Sequence, residues 1–442
     1  MIKALKNAMT LPDLRRKLLY TLLILVIFRL VAHVPVPGVD RTALAQLLAG
    51  TGGASRLFNL MDMLSGGAMA QFSVMATGVY PYVTASIILQ LLVPIIPSLE
   101  RLAQEGQAGQ EKMNKWTYYL TVPLALLQAL GQIRLVNISS PAQVLPDFGF
   151  ATSAQALSTV SILGSMTAGT MFAIWLGELI SEQGIGNGLS MIIFAGIVSR
   201  VPENLVTTWV QSVGTGGLGM GLLTVGIFLV ITAITVLFIV VVQEGQRRIP
   251  VQYGKRVRGM KMYGGQSTHI PLRINTAGMI PLIFAQSILT FPAVIAQFFI
   301  GAASPTVTSI AESVMNFFSA QSAGYGVIYF LAVVGFTYFY TDVMVQQQDL
   351  PGNLQRQGGF IPGIRPGRRT AEYIDSIYRR ITLIGALFLG IVAVLPYIVD
   401  IFFQTRLLIT SAGLLIVVGV VLDTMRQLEA QLLMRQYEGF IK

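Results

Sequence analysis

Apolar stretches separated by short polar or glycine- and proline-rich segments recur from one end of the chain to the other. A helix needs roughly twenty predominantly apolar residues to cross a bilayer. Stretches of that size lie at 18–36, 72–97, 116–135, 154–180, 189–210, 219–242, 274–299, 323–345, 380–403 and 407–425. The fifth is the weakest, because Arg200, Pro202 and Glu203 interrupt it soon after Leu189 to Val198. Charge retains it. With the amino terminus in the cytoplasm, ten crossings place the basic residues of 3–17, 101–115, 247–273, 356–380 and 426–442 inside and leave only Arg41, Arg56, Arg134, Arg200 and Arg406 outside. Without the fifth crossing the large basic loop after Val242 would fall outside. The pattern predicts an all-α polytopic membrane protein with ten transmembrane helices and both ends cytoplasmic.

One apolar segment is too short for this scheme. Leu57, Phe58, Leu60, Met61, Met63 and Leu64 precede Ser65-Gly66-Gly67, and a membrane-length run begins at Phe72. A half-length apolar helix on a glycine hinge must bury itself in protein or in a cavity, because lipid does not tolerate exposed irregular backbone. The segment, about 57–70, suggests a movable stopper beside a pore. The second and seventh stretches also share a local pattern, Pro81-Tyr82-Val83-Thr84-Ala85-Ser86-Ile87-Ile88-Leu89 beside Pro281-Leu282-Ile283-Phe284-Ala285-Gln286-Ser287-Ile288-Leu289. Each is the second helix of a five-helix half, 1–210 or 211–442. Five is odd, so the two pseudo-symmetric halves have inverted topology, as in many transport folds with a pathway between repeats.

Composition agrees. The 442 residues are 53% hydrophobic and only 11% charged, with a mean hydropathy of +0.67, against about 25% charged residues in soluble domains. Met1 to Lys17 is basic but no small-residue cleavage pattern follows, so the first apolar stretch is expected to remain as a span. There is no cysteine, and His33 and His269 are the only histidines, so disulfides, metal sites and cofactors are not expected. Ionisable residues in the spans are few: Arg29 and His33 one turn apart in the first, with Glu178, Asp342 and Asp423 near cytoplasmic ends. Arg29 reads either as snorkelling or as part of a relay. No G-x-x-x-x-G-K-[ST] occurs, and Gly214 to Gly219 matches G-x-G-x-x-G only between two spans, not after a strand. The chain is not expected to be an enzyme; energy must come from a partner or a gradient.

The net charge of +10 concentrates in two long polar loops on the cytoplasmic side, 243–273 and 346–380. Basic loops can be topology signals attracted to anionic membrane lipids. Their length and their glycine and proline content also fit structured loops that receive a large partner, acidic or made of RNA.

Several motifs in order resemble the SecY family, the central subunit of the bacterial protein-conducting channel: Pro35-Val36-Pro37-Gly38, Ser65-Gly66-Gly67, Pro81 to Ile87, Gly184-Ile185-Gly186-Asn187-Gly188, Arg247-Arg248-Ile249-Pro250-Val251, Gly358 to Gly367 and Tyr437-Glu438-Gly439-Phe440. The resemblance implies a bacterial plasma-membrane channel for unfolded polypeptides and signal sequences, closed by a plug and opening sideways between spans two and seven. It implies the small subunits SecE and SecG, the SecA ATPase and the ribosome as partners. By motif position the pore ring falls on Val79, Val83, Ile87, Leu189, Ile193, Ile280 and Ile416, with valine at 79 and 83 where isoleucine is expected. Each of these is also an ordinary packing residue; as a ring, branched aliphatics offer ions no substitute for hydration and gate by dewetting. Gln90, Gln128, Asn275, Gln286 and Ser287 are candidates for a polar cluster in the lateral gate, or for plain helix packing. Arg247, Arg248, Lys255, Arg256, Arg365 and Tyr437 match the positions that dock the motor and the ribosome. The loop Ser98 to Lys115 departs from the family by balancing Arg101, Lys112 and Lys115 with Glu100, Glu105 and Glu111. The alternative from another class is an inverted-repeat secondary transporter of a small solute, with Arg29 and His33 in its relay.

Overall fold

A computed structural model describes residues 9–44, 67–93, 95–139, 144–149, 152–253, 256–258, 261–263, 267–297, 299, 305–318, 323–348, 350–365, 367–403 and 411–440. Among the described residues, each of the ten apolar stretches overlaps a helix over part or all of its length. In chain order these are α1 (Pro12–Val31), α2 (Tyr80–Leu92), α4 (Gln107–Ser139), α5 (Ser153–Gln183), α6 (Gly188–Gly214), α7 (Gly217–Glu244), α8 (Ile280–Gln297), α10 (Ala323–Gln348), α12 (Arg368–Phe403) and α13 (Ser411–Phe440). Shorter helices are α3 (Pro97–Gln104), α9 (Pro305–Phe317) and α11 (Leu350–Arg356).

Among the described residues, five helices are long and apolar enough to cross a membrane: Ser153–Gln183, Gly188–Gly214, Gly217–Glu244, Gly324–Arg356 and Arg368–Leu395. The weak fifth stretch is one of them. It is separated from the sixth by Gly217, whose φ of 77° and ψ of −178° interrupt the helical path. On α7 the exposed side chains include Leu222, Leu229, Val230, Ile234, Leu237 and Val241, a surface that suits hydrocarbon rather than water.

The second stretch differs from its prediction. Residues 67–79 form turns, not helix, and α2 begins only at Tyr80. Pro81 is compatible with the first helical turn, where a missing N–H costs nothing, and Gly78 precedes it with φ 56°. At the other end α2 meets Pro97–Ala103 at a bend of 106°, because Pro94 and Pro97 cannot continue the hydrogen-bond ladder. The seventh helix has the same entry: Gly278, with φ 66°, stands before Pro281 as Gly78 stands before Pro81.

The described residues gather into two compact units, one from Met1–Phe228, Ser287–Tyr325 and Ile416–Lys442, the other from Leu229–Gln286 and Gly326–Leu415. In the first, the motif Gly184 to Gly188 is a tie point. Its amides reach three elements: Ile185 N–H donates to Thr21 Oγ1 on α1 at 3.2 Å, Gly186 N–H to Gln427 Oε1 on α13 at 3.0 Å, and Gly188 N–H to Ser181 Oγ on α5 at 2.9 Å. Ile185 packs with Leu14 and Leu428 beneath it. In the second unit the predicted all-α fold acquires a small sheet, formed by β1 (Gln246–Tyr253), β4 (Ser267–Arg273) and β5 (Gly359–Phe360) in the order β4-β1-β5, with β2 (Arg256–Arg258) and β3 (Lys261–Tyr263) as a separate hairpin.

At Gly188 an added Cβ would lie 1.7 Å from the Gly177 carbonyl oxygen, so α5 and α6 can approach only over a glycine. Gly188→Ala is expected to cost about 1–3 kcal/mol by overpacking, read as a lower thermal midpoint of the purified protein.

Candidate functional site

The plug candidates Leu57, Phe58, Leu60, Met61, Met63, Leu64 and Gly66 lie outside the described residues; Gly67 is inside them. From there the chain is held firmly. Val36 N–H donates to the Phe72 carbonyl at 3.0 Å and Val74 N–H to the Val34 carbonyl at 2.9 Å, so the chain at Val34 to Val36 is the bonding partner of the turns that follow Gly67. Phe72, Met69 and Met75 are fully buried. Phe72 keeps a positive φ of 44°, a conformation that costs a non-glycine residue about 1–3 kcal/mol and persists only where packing over-determines it.

Those turns deliver Val79 to the start of α2. Val83 N–H donates to the Val79 carbonyl at 3.2 Å, and the four-residue spacing puts Val79, Val83 and Ile87 on one helix face. Val79 and Ile87 are buried and Val83 is half-buried. Val79 joins an apolar cluster with Phe28, Met75, Leu176 and Ile192, against which Leu189 and Ile193 pack. The structure therefore brings together three of the seven ring candidates, Val79, Leu189 and Ile193. Ile416 is buried on α13 in the same unit but outside that cluster, and Ile280 opens α8 in the other unit, half-buried.

The polar candidates occupy α2, α4, α8 and the turn before α8. Gln90 donates to Ser86 Oγ at 3.2 Å, and Asn275 donates to the Gly278 carbonyl at 3.0 Å, bracing the entry of α8. Gln286 is half-buried on α8. Gln128 Oε1, Asn275 Oδ1 and Ser287 Oγ are buried without a hydrogen-bond partner, and so is Gln132 Oε1, one turn from Gln128. Leaving such groups unpaired costs about 1–3 kcal/mol each. Gln132, only 5% exposed, was missed in the sequence, although its spacing from Gln128 on one face of an apolar span was the available signal.

Two other intramembrane groups are accounted for locally. Glu178 accepts a hydrogen bond from the Tyr118 hydroxyl, whose ring lies 5.5 Å from that of Tyr82, so Tyr118 on α4 links Glu178 of α5 to Tyr82 of α2. His33 Nδ1–H donates to the Arg29 carbonyl at 2.7 Å. Among the described residues no three His, Asp or Glu side chains form a metal-binding group.

The two basic loops meet in one structure. Ile249 pairs with Ile270 and Val251 with Thr268 across β1 and β4, while Gln252 and Tyr253 pair with Phe360 and Gly359 of β5. Alternation along β1 sends Ile249 and Val251 inward and Arg248 to the opposite, exposed face; Arg247, of the same parity as Ile249 but nearer the strand's start, is exposed too. The inward face packs on Leu354, Ile361, Ile374 and Ile377. Arg365 is exposed, and its carbonyl accepts from Thr370 Oγ1 at 3.0 Å, fixing the turn into α12. Lys255 lies outside the described residues; Arg256 and Tyr437 fall on β2 and α13, with their side chains outside the description. The result is an apolar-backed platform that bears exposed arginines.

The chain matches the SecY family model over residues 73–425. It is 42% identical over 452 residues to the protein translocase subunit SecY of Streptomyces galbus, with all of both chains covered. Its fold is similar to a solved SecY structure whose plug domain is described as stabilising the closed state of the translocation channel and maintaining a membrane seal (TM-score 0.57, 18% identity, 94% and 92% of the two chains). It is also similar to Sec61 in the canine ribosome–channel complex from the endoplasmic reticulum (TM-score 0.58, 19% identity, 94% and 92%).

The platform separates support from display. Val251→Asp places a charge in the apolar backing and is expected to abolish hydrogen-exchange protection of the β1 and β4 amides. Arg247→Ala and Arg248→Ala, at exposed positions, should change stability by no more than about 0.5 kcal/mol.

Proposed function

The chain belongs to the SecY family of protein-translocation channels, and from that premise we propose how it works. It is a passive pore in the bacterial plasma membrane, built from ten transmembrane helices in two inverted five-helix halves, 1–210 and 211–442, with both ends cytoplasmic. The segment 57–70 is its plug. Val79, Val83, Ile87, Leu189, Ile193, Ile280 and Ile416 form a ring that seals around unfolded polypeptide. Aliphatic side chains suit this task, because they offer ions no ligands and carry no fixed hydrogen-bond demands that a passing chain of arbitrary sequence must meet.

The second and seventh spans border the lateral gate. Gln90, Gln128, Asn275, Gln286 and Ser287 line it, and a hydrogen bond formed between helices there would contribute about 0.6–2 kcal/mol in a membrane, weak enough for an apolar signal sequence to displace. The matching Gly–Pro entries of α2 and α8 support the repeat. Arg247, Arg248, Lys255, Arg256, Arg365 and Tyr437 receive the driving partner, SecA or the ribosome; SecE and SecG complete the channel. An exposed arginine-bearing surface fits an RNA or acidic partner through charge, and the Sec61 relative occurs in a ribosome complex.

The full-length likeness to a curated translocase subunit carries this reading, and no specific observation favours the small-solute transporter. Ion conductance in planar bilayers tests it. The intact chain is expected to be nearly silent, and deletion of 57–70 to give large, frequent openings; two silent forms at matched insertion would remove the plug.

A further inference from the structure

Gly67 ends the Ser65-Gly66-Gly67 motif, and two separate features favour glycine there. Its φ of +88° is in the left-handed region, and a Cβ added to it would lie 2.6 Å from Arg200 Nε and 3.2 Å from both Cζ and Nη2. The guanidinium of Arg200 thus occupies the space where a side chain would be.

Arg200 stands on α6, among the few basic residues that charge parity places on the outer side. Its side chain is only 20% exposed, and Nη1 is held 3.3 Å from Glu203 Oε2, one turn further along the same helix. An exposed Arg–Glu pair would contribute little by itself. Burying most of a guanidinium is costly unless its contacts use its shape and charge, and its planar fork is preorganised in a way that a lysine ammonium is not. Directly after Gly67 the chain enters the core: Ala68 and Met69 are fully buried, and the Ala68 carbonyl accepts from Ser73 N–H at 2.9 Å. Gly67 is therefore the junction between a firmly packed segment and the proposed plug.

We propose that Arg200 is a positioning residue for gating: aimed by Glu203, its guanidinium clamps the backbone at Gly67 and fixes the point where the plug joins the core. This rests on the plug reading of 57–70. It explains why the fifth stretch carries a charged interruption at Arg200 and Glu203, and why the hinge motif ends in glycine.

The chain has no cysteine, so a spin label on Ser65→Cys reports the hinge alone, with a label on exposed Leu157→Cys as control. Arg200→Ala is expected to loosen the label at 65 but not at 157, and to raise spontaneous openings in planar bilayers roughly tenfold, as loss of a charge-assisted contact allows. Arg200→Lys should restore neither, and Glu203→Gln should show a smaller change in the same direction. Unchanged mobility at 65 in both Arg200→Ala and Glu203→Gln overturns the clamp. So does unchanged gating in both variants when deletion of 57–70 opens the channel. If Arg200→Ala loosens the label while neither it nor the deletion conducts, the clamp is real and the plug reading fails.

Discussion

Hydrocarbon offers no hydrogen-bond partner to a peptide group, and everything else in this protein is arranged around that fact. Helices satisfy their own backbone and can face lipid, as the exposed aliphatic side chains of α7 do. Backbone that is not helical has to be walled by protein. Residues 67–79 meet this requirement through bonds to Val34 and Val36 and through the complete burial of Phe72 and Met75.

Polar groups inside the spans are handled in two ways. Where the structure needs rigidity they are fully engaged: Tyr118 meets Glu178, and the Gly184 to Gly188 turn is bonded to α1, α5 and α13. Among the gate candidates, several buried oxygens have no partner, Gln128, Asn275 and Ser287 among them. An unpaired acceptor in a buried site favours any event that supplies a donor. Such groups suit a seam that must exchange partners, and they would be a liability in a permanent core. Outside the membrane the logic differs again, since β1, β4 and β5 close a conventional apolar layer and leave arginines free of structural duty.

The helices were legible because length and apolarity suffice to mark them, and the weak fifth stretch was recovered from charge, which acts on topology independently of hydrophobicity. The irregular 67–79 segment was not legible: its side chains are as apolar as a span's, and only tertiary bonds to Val34 and Val36 decide against a helix there. The bend after α2 could have been read from Pro94 and Pro97. The joining of two distant basic loops into one sheet was hidden because β5 is two residues long and its pairing with β1 is non-local, although the inward alternation of Ile249 and Val251 was a strand signal. Val79, Leu189 and Ile193 fall in one apolar cluster, an arrangement open to a pore ring and to ordinary packing alike, whereas Gln132 and the Arg200–Gly67 contact emerged only from the packing.

The central claim is that polypeptide passes over the aliphatic face of α2, and the absence of native cysteine allows a direct measurement. A secretory polypeptide carrying one cysteine and a tightly folded carboxy-terminal block is arrested in transit through the Val83→Cys protein, and disulfide formation between the two is scored. The account predicts a cross-link at Val83 and none at Leu237→Cys on the exposed face of α7. Arrested cargo that never cross-links to position 83, while cross-linking to lipid-facing positions, would contradict it.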